Sequence, residues 1–271
     1  MWRFKGSDPY GLAVYGTWKL SYDKLDGSAR CLLQICSLLH HEGISEEMFE
    51  KATTSVLRLD DSELQKEVTK LLNQLGKRES GWSSWEFHRV VKCLGGYEFN
   101  QRDCTYGMHP LVQQWSRTTI GENRDVMRKC VVSIIGLSIS WTFREEDYRY
   151  RRTLLKHIGN TTVFPTAPEI LEASIASRLA LVYLEQGYWK DAERLGLMVM
   201  EKRKQLLGDD HRDTLSSMAI LAITYWKQGR RNDAERLEVV VMERSKQLLG
   251  EDHPDTLASI ANLASKPGPL E

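Results

Sequence analysis

Residues 191–221 read DAERLGLMVMEKRKQLLGDDHRDTLSSMAIL, and residues 233–263 read DAERLEVVVMERSKQLLGEDHPDTLASIANL. At this offset of 42 residues, 21 of 31 positions are identical, so the C-terminal third of the 271-residue chain is a tandem repeat. The register is fixed by Ala192/Ala234, Glu193/Glu235, Gly208/Gly250, His211/His253, Asp213/Asp255 and Leu215/Leu257. It also runs backwards, pairing Leu179, Ala180, Tyr183, Gln186 and Gly187 with Leu221, Ala222, Tyr225, Gln228 and Gly229.

Each unit reads as two helices. Leu215, Met218, Ala219, Ala222 and Tyr225 fall at helical spacing, and Gly229 then supplies the left-handed residue that ends a helix. The second helix begins near Asn232 or Asp233, sets Ala234, Leu237, Val241 and Leu248 on one side, and stops at Gly250. The string GEDHPDTL at 250–257 is a helix start: Asp252 or His253 at the cap, Pro254 in the first turn, Asp255 near the positive end of the helix dipole. Small residues at Ala180, Ala192, Ala222 and Ala234 let paired helices approach closely. The expected architecture is an antiparallel helix hairpin stacked on its copy. A third hairpin is half built, leaving an apolar stripe at Leu257, Ile260 and Leu263. Residues 266–271, KPGPLE, cannot continue a helix and are expected to be a disordered tail.

The composite string LAxxYxxQGxxxDAExLxxxVMExxKQLLGxDHxDTLxSxAxL resembles the tetratricopeptide repeats of the kinesin light chain type, over residues 165–265. The resemblance implies a solenoid whose concave face holds an extended peptide. Tyr183, Trp189, Tyr225, Trp226 and Arg230 are then the candidates for contact with a protein or peptide partner, and the open repeat edge is a candidate for self-association. His211 and His253 recur with the unit and read as helix-start residues; lone histidines on successive hairpins supply too few ligands for a metal.

The N-terminal half has no repeat. Helices are placed at Thr17–Lys24, Ser28–Leu39, Ser45–Thr54, Asp61–Leu75 and Trp85–Cys93, followed by two short alternating runs around a polar turn between Gly96 and Tyr106. Helices followed by one small β-hairpin suggest a winged-helix module. The string TWKLSYDKL at 17–25, leading to CLLQICSLL at 31–39, resembles the opening of the winged-helix subdomain in NB-ARC proteins, signalling ATPases that include plant disease-resistance proteins and fungal relatives. Met108-His109-Pro110 after the hairpin is similar to that family's Met-His-Asp motif, in which the histidine contacts the phosphates of bound ADP. The resemblance carries this role to His109 alone, because Pro110 replaces the aspartate. Fungal members commonly join this module to kinesin-light-chain-type repeats, the order seen here.

The sequence contains no GxxxxGK[ST] loop and no apolar strand ending in paired acids, so nothing in it cradles a triphosphate or holds its magnesium. ADP or ATP would concern this chain only with an NB-ARC core supplied, and it resembles a truncated STAND-type member. The expected layout is a mainly α chain: a winged-helix-like domain of NB-ARC type at 1–120, linking or capping helices at 121–164, repeats at 165–265 and the tail at 266–271. Thr161–Pro168 is the expected hinge, and Arg149, Arg151, Arg152 and Lys156 read as a solvated basic face.

Composition limits the function classes. Lys plus Arg and Asp plus Glu both total 37, and residues 1–120 alone carry 15 of each sign, so no basic field draws the chain to nucleic acid or to an acidic membrane. Five scattered cysteines without a CxxC pair read as structural thiols in a reducing compartment. With no signal-peptide core and no apolar run of membrane-spanning length, a cytoplasmic location is expected. The leading expectation is an interaction protein without a catalytic residue, a cofactor or a metal of its own. The alternatives are a winged-helix DNA-binding regulator with a repeat sensor arm, which the neutral charge disfavours, and an enzyme, for which no nucleophile elbow or HExxH is present.

Overall fold

Helix-start chemistry and 3.6-residue apolar periodicity dominate the described chain, and the result is mainly α-helical. The structure, a computed structural model, describes residues 9–59, 61–95, 100–102, 104–162 and 172–264. The chain divides into two units, Met1–Ser140 with Lys156–Pro165, and Trp141–Leu155 with Thr166–Glu271.

The first unit contains α1 (Pro9–Asp23), α2 (Gly27–Leu38), β1 (Ile44–Ser45), α3 (Glu46–Ser55), α4 (Ser62–Leu75), β2 (Lys77–Arg78), β3 (Gly81–Trp82), α5 (Ser84–Cys93), β4 (Asn100–Arg102), β5 (Thr105–Gly107), α6 (Pro110–Thr118) and α7 (Arg124–Ser138). Short polar side chains start α2, α4 and α5. Asp26 accepts from Ala29 N, Asp61 from Glu63 N and Leu64 N, and Ser83 from Glu86 N. Ser45, expected as a cap, stands at the start of α3 without a side-chain bond; its backbone pairs instead with Thr105. Leu32, Leu33 and Ile35 of α2, Phe49 of α3, Leu72 and Leu75 of α4 and Phe87 of α5 are fully buried. Each such side chain withdrawn from water contributes on the order of 2 kcal/mol. Phe87 is the hub, with ring centres 5.5 Å from Phe49, 5.6 Å from Trp82 and 5.9 Å from Tyr106.

The five expected helices lie within a few residues of their predicted spans, except that α1 begins earlier, at Pro9. The expected hairpin is β4–β5, with residues 96–99 and 103 outside the described set. Two features were not anticipated: β1 adds to β5, pairing Ile44 with Tyr106 in a sheet ordered β1-β5-β4, and β2 pairs with β3 in a separate two-stranded ribbon. Strands of two residues carry no readable alternation.

The second unit contains α9 (Ala173–Glu185), α10 (Trp189–Leu207), α11 (Arg212–Lys227), α12 (Arg231–Leu249) and α13 (Pro254–Ala264), each packed on the next. The repeat in sequence is a repeat in backbone. Gly187 and Gly229 have φ of +80° and +81°; Gly208 and Gly250 have +89° and +90°. The buried face of α12 is Ala234, Glu238, Val241 and Ser245. Leu248 is exposed, contrary to its assignment to that face, because burial follows helix geometry and takes in a glutamate and a serine that polarity hides. Leu257 and Ile260 of α13 are 52% and 42% exposed.

The helix α8 (Glu145–Thr162) contributes to both units, its first turns to the second and its last turns to the first. Arg151, read as part of a solvated basic face, has no exposed surface. Its Nε and Nη2 donate to both oxygens of Glu185 at 2.7 and 2.8 Å, and its Nη1 donates to the Thr142 carbonyl at 2.8 Å. Arg149 and Arg152 are exposed as expected. Of the expected hinge, Thr161 and Thr162 are the last turn of α8, and the rest lies outside the described residues, as does the tail 266–271.

Candidate functional site

The repeat pair builds its candidate surface from the turn between each pair of helices. In both repeats the turn closes on the same backbone bond: Tyr188 N donates to Tyr183 O and Arg230 N donates to Tyr225 O, each at 2.9 Å. The residue after the turn then rests on the aromatic ring five positions earlier. Tyr188 lies 6.2 Å from Tyr183 between ring centres, and the Arg230 guanidinium lies 4.0 Å over Tyr225. Tyr183 and Tyr225 are consequently 5% and 9% exposed, and present little surface to a partner. Trp226 is half-buried, with the Arg231 guanidinium 5.3 Å over its ring. Trp189 remains 39% exposed beside an exposed Tyr188.

Arg230 ties the two repeats together. Its Nη1 donates to Glu193 Oε1 at 2.6 Å and its Nε to Asp233 Oδ2 at 2.9 Å, and these bonds hold its pKa above the ordinary arginine value. Gln228 Nε2 donates to Glu193 Oε2 at 2.7 Å and to the Trp189 carbonyl at 3.1 Å. The result is a cleft of about 650 Å³ bounded by Tyr188, Trp189, Lys190, Glu193, Gln228 and Arg230. Sequence reading singled out Trp189 and Arg230 there but passed over Glu193 and Gln228. Both recur at the 42-residue period, which is the signal that could have found them. A second cleft, of about 360 Å³, lies between α11, α12 and α13, with Leu215, Ala219, Val241 and Ala258 in its apolar walls and Arg212 and Asp213 at its rim.

His109 sits elsewhere, in the first unit. It is the N-cap of α6: its Nδ1 accepts from Leu111 N at 3.2 Å, with Pro110 in the first turn. The exposed ring borders a cavity of about 480 Å³ shared with His41, Gly43, Tyr106 and Lys156. The loop behind this cavity is fixed by α8, whose buried His157 accepts from His40 N at Nδ1, 3.1 Å, and donates from Nε2 to the Gly43 carbonyl at 3.0 Å.

The thiols are not poised for chemistry. Burial pushes Cys31 and Cys130 up to about 12 and moves Cys36 in the same direction, so all three stay protonated near neutrality. Cys93 and Cys104, read as structural, are exposed. Among the described residues no group of three His, Cys, Asp or Glu side chains is placed to hold a metal, and no helix is long and apolar enough to cross a membrane.

The second unit is thus a helix-hairpin array, a class that offers surfaces rather than reaction centres. Residues 173–213 and 214–255 each match the family described as tetratricopeptide repeat, so two such repeats occupy that span, a module that mediates protein–protein interaction. Among curated proteins none matches the chain.

Proposed function

We propose that the two tetratricopeptide repeats hold an extended peptide or a partner protein, in a STAND/NB-ARC-type signalling chain whose sequence contains no P-loop of its own. The observation that carries this reading is the matched repeat pair with an aromatic and charged cleft at its inter-repeat turn, where Trp189 and Arg230 are accessible. The winged-helix reading of the first unit draws support from its strand order β1-β5-β4, with β1 between α2 and α3 and the β4–β5 hairpin after α5. His109 and Lys156 bordering one cavity suit a phosphate-sensing role only if a nucleotide-binding core is supplied. Alone, the chain is expected to bind neither ADP nor ATP in calorimetric titration; micromolar binding would contradict this part of the reading. DNA recognition is the competing function. A salt-dependent affinity for duplex DNA would favour it over peptide binding.

A further inference from the structure

Short side chains open a space between three helices of the first unit. The helices α2, α4 and α7 pack on one another pairwise. Where their faces meet, Cys31 of α2 and Cys130 of α7 stand in place of longer apolar side chains, and Gly27 leaves the mouth open. The cavity that results is about 720 Å³, with Leu64 and Leu71 of α4 and Met127 of α7 in its walls. That volume is in the range of small-molecule sites. Met127 lies one helical turn before Cys130, so three sulfur-bearing side chains line one space. Burial holds both thiols protonated, and the floor carries no charge.

The wall at Tyr22 is fixed in place. Its ring meets Trp115 edge-on at 5.8 Å, carries the Arg30 guanidinium 5.3 Å above it, and its hydroxyl accepts from Gln34 Nε2 at 3.0 Å. The charges around the cavity are already engaged. Arg30 donates from Nε to Tyr22 O at 3.2 Å and from Nη2 to Asp23 O at 2.6 Å. Asp61 caps α4, Glu63 pairs with Lys66 at 2.7 Å, and Glu67 lies 4.0 Å from Lys70. The remaining charge, Lys129, is exposed. An ion entering this space would leave water without meeting a buried counter-charge.

We infer that this cavity binds a neutral, flat aromatic molecule, with its rings between the sulfur-lined floor and Tyr22 and a single polar group toward the partly exposed Gln74 amide. Polarizable sulfur favours aromatic rings as neighbours, which selects the flat body. The engaged charges select against an ion. A wall already held by Trp115, Arg30 and Gln34 loses little freedom when the ligand arrives. The site uses none of the repeat residues, so it stands or falls independently of the peptide-holding function.

Titration of the full chain with N-phenyl-1-naphthylamine, a neutral probe that fluoresces in apolar surroundings, tests this. One saturable site per chain with a micromolar Kd is expected, and the thermal midpoint should rise as the probe fills it. The probe 8-anilinonaphthalene-1-sulfonate has the same rings with an added sulfonate, and should bind at least about tenfold more weakly. Gly27→Phe blocks the mouth: a Cβ there meets no atom within 4 Å, and the residue is exposed at the start of α2. Val126→Trp blocks the opposite wall from a position 48% exposed. Each variant should weaken the neutral probe at least about tenfold while its melt stays within about 3 °C of the parent. Binding that does not saturate, equal affinity for the sulfonate, or either folded variant binding like the parent overturns the site.

Discussion

The imidazole Nδ1 of His157 accepts the backbone N–H of His40, at 3.1 Å, so the buried ring must be neutral and carry its proton on Nε2. Burial is the main cause that lowers its pKa from 6.5 to about 4, with Lys156 and His40 adding to the effect and the bond to Gly43 O opposing it. The unfolded chain takes up this proton near pH 6.5 and the folded one only near pH 4, so stability falls as pH drops through that window. The loss approaches about 3 kcal/mol below pH 4. Chemical denaturation at stepped pH should show this slope, and His157→Gln should flatten it; an unchanged slope would place the acid sensitivity elsewhere.

Gly208 and Gly250 adopt φ near +90° with ψ near +167°, a region open only to glycine. The Gly208 carbonyl also accepts from the Oγ1 of fully buried Thr214 at 2.8 Å. Gly208→Ala should cost about 1–3 kcal/mol, and Thr214→Val about 1 kcal/mol, with nearly the same volume. The first variant melting like the parent would mean that the turn can re-form in another conformation.

Thiol labelling should split the five cysteines. Cys93 and Cys104 react in the native protein, whereas Cys31, Cys36 and Cys130 react only after unfolding. Native labelling of Cys36, the most deeply placed of the three, would contradict the packing of α2.

The repeat is legible because two copies of one hairpin share glycines, caps and aromatic positions, so each copy constrains the other. The expected cap region at His211 is the observed one, with Nδ1 accepting from Asp213 N at 3.1 Å. The helices of the first unit were legible from caps such as Asp61 and apolar stripes such as Val68, Leu71, Leu72 and Leu75. What escaped were features made by partners distant in sequence. Nothing local marks Ile44 as a strand: its pairing partner Tyr106 is what makes it one. Arg151 looked solvated because its neighbours Arg149 and Arg152 are; only Glu185 explains why it is buried. For the candidate site, the sequence indicated Trp189 and Arg230, but the clasp through Glu193 and Gln228 depends on how the hairpins stack.

The function proposed for residues 173–255 is to hold a protein partner. Peptide-display selection against the full chain, followed by calorimetric titration of the enriched peptide, tests it most directly. An enriched sequence class should bind in the micromolar range, with affinity falling at least about tenfold for Trp189→Ala, while the thermal midpoint stays near that of the parent. Failure to enrich any sequence, or binding indifferent to Trp189→Ala and Arg230→Ala, would contradict it.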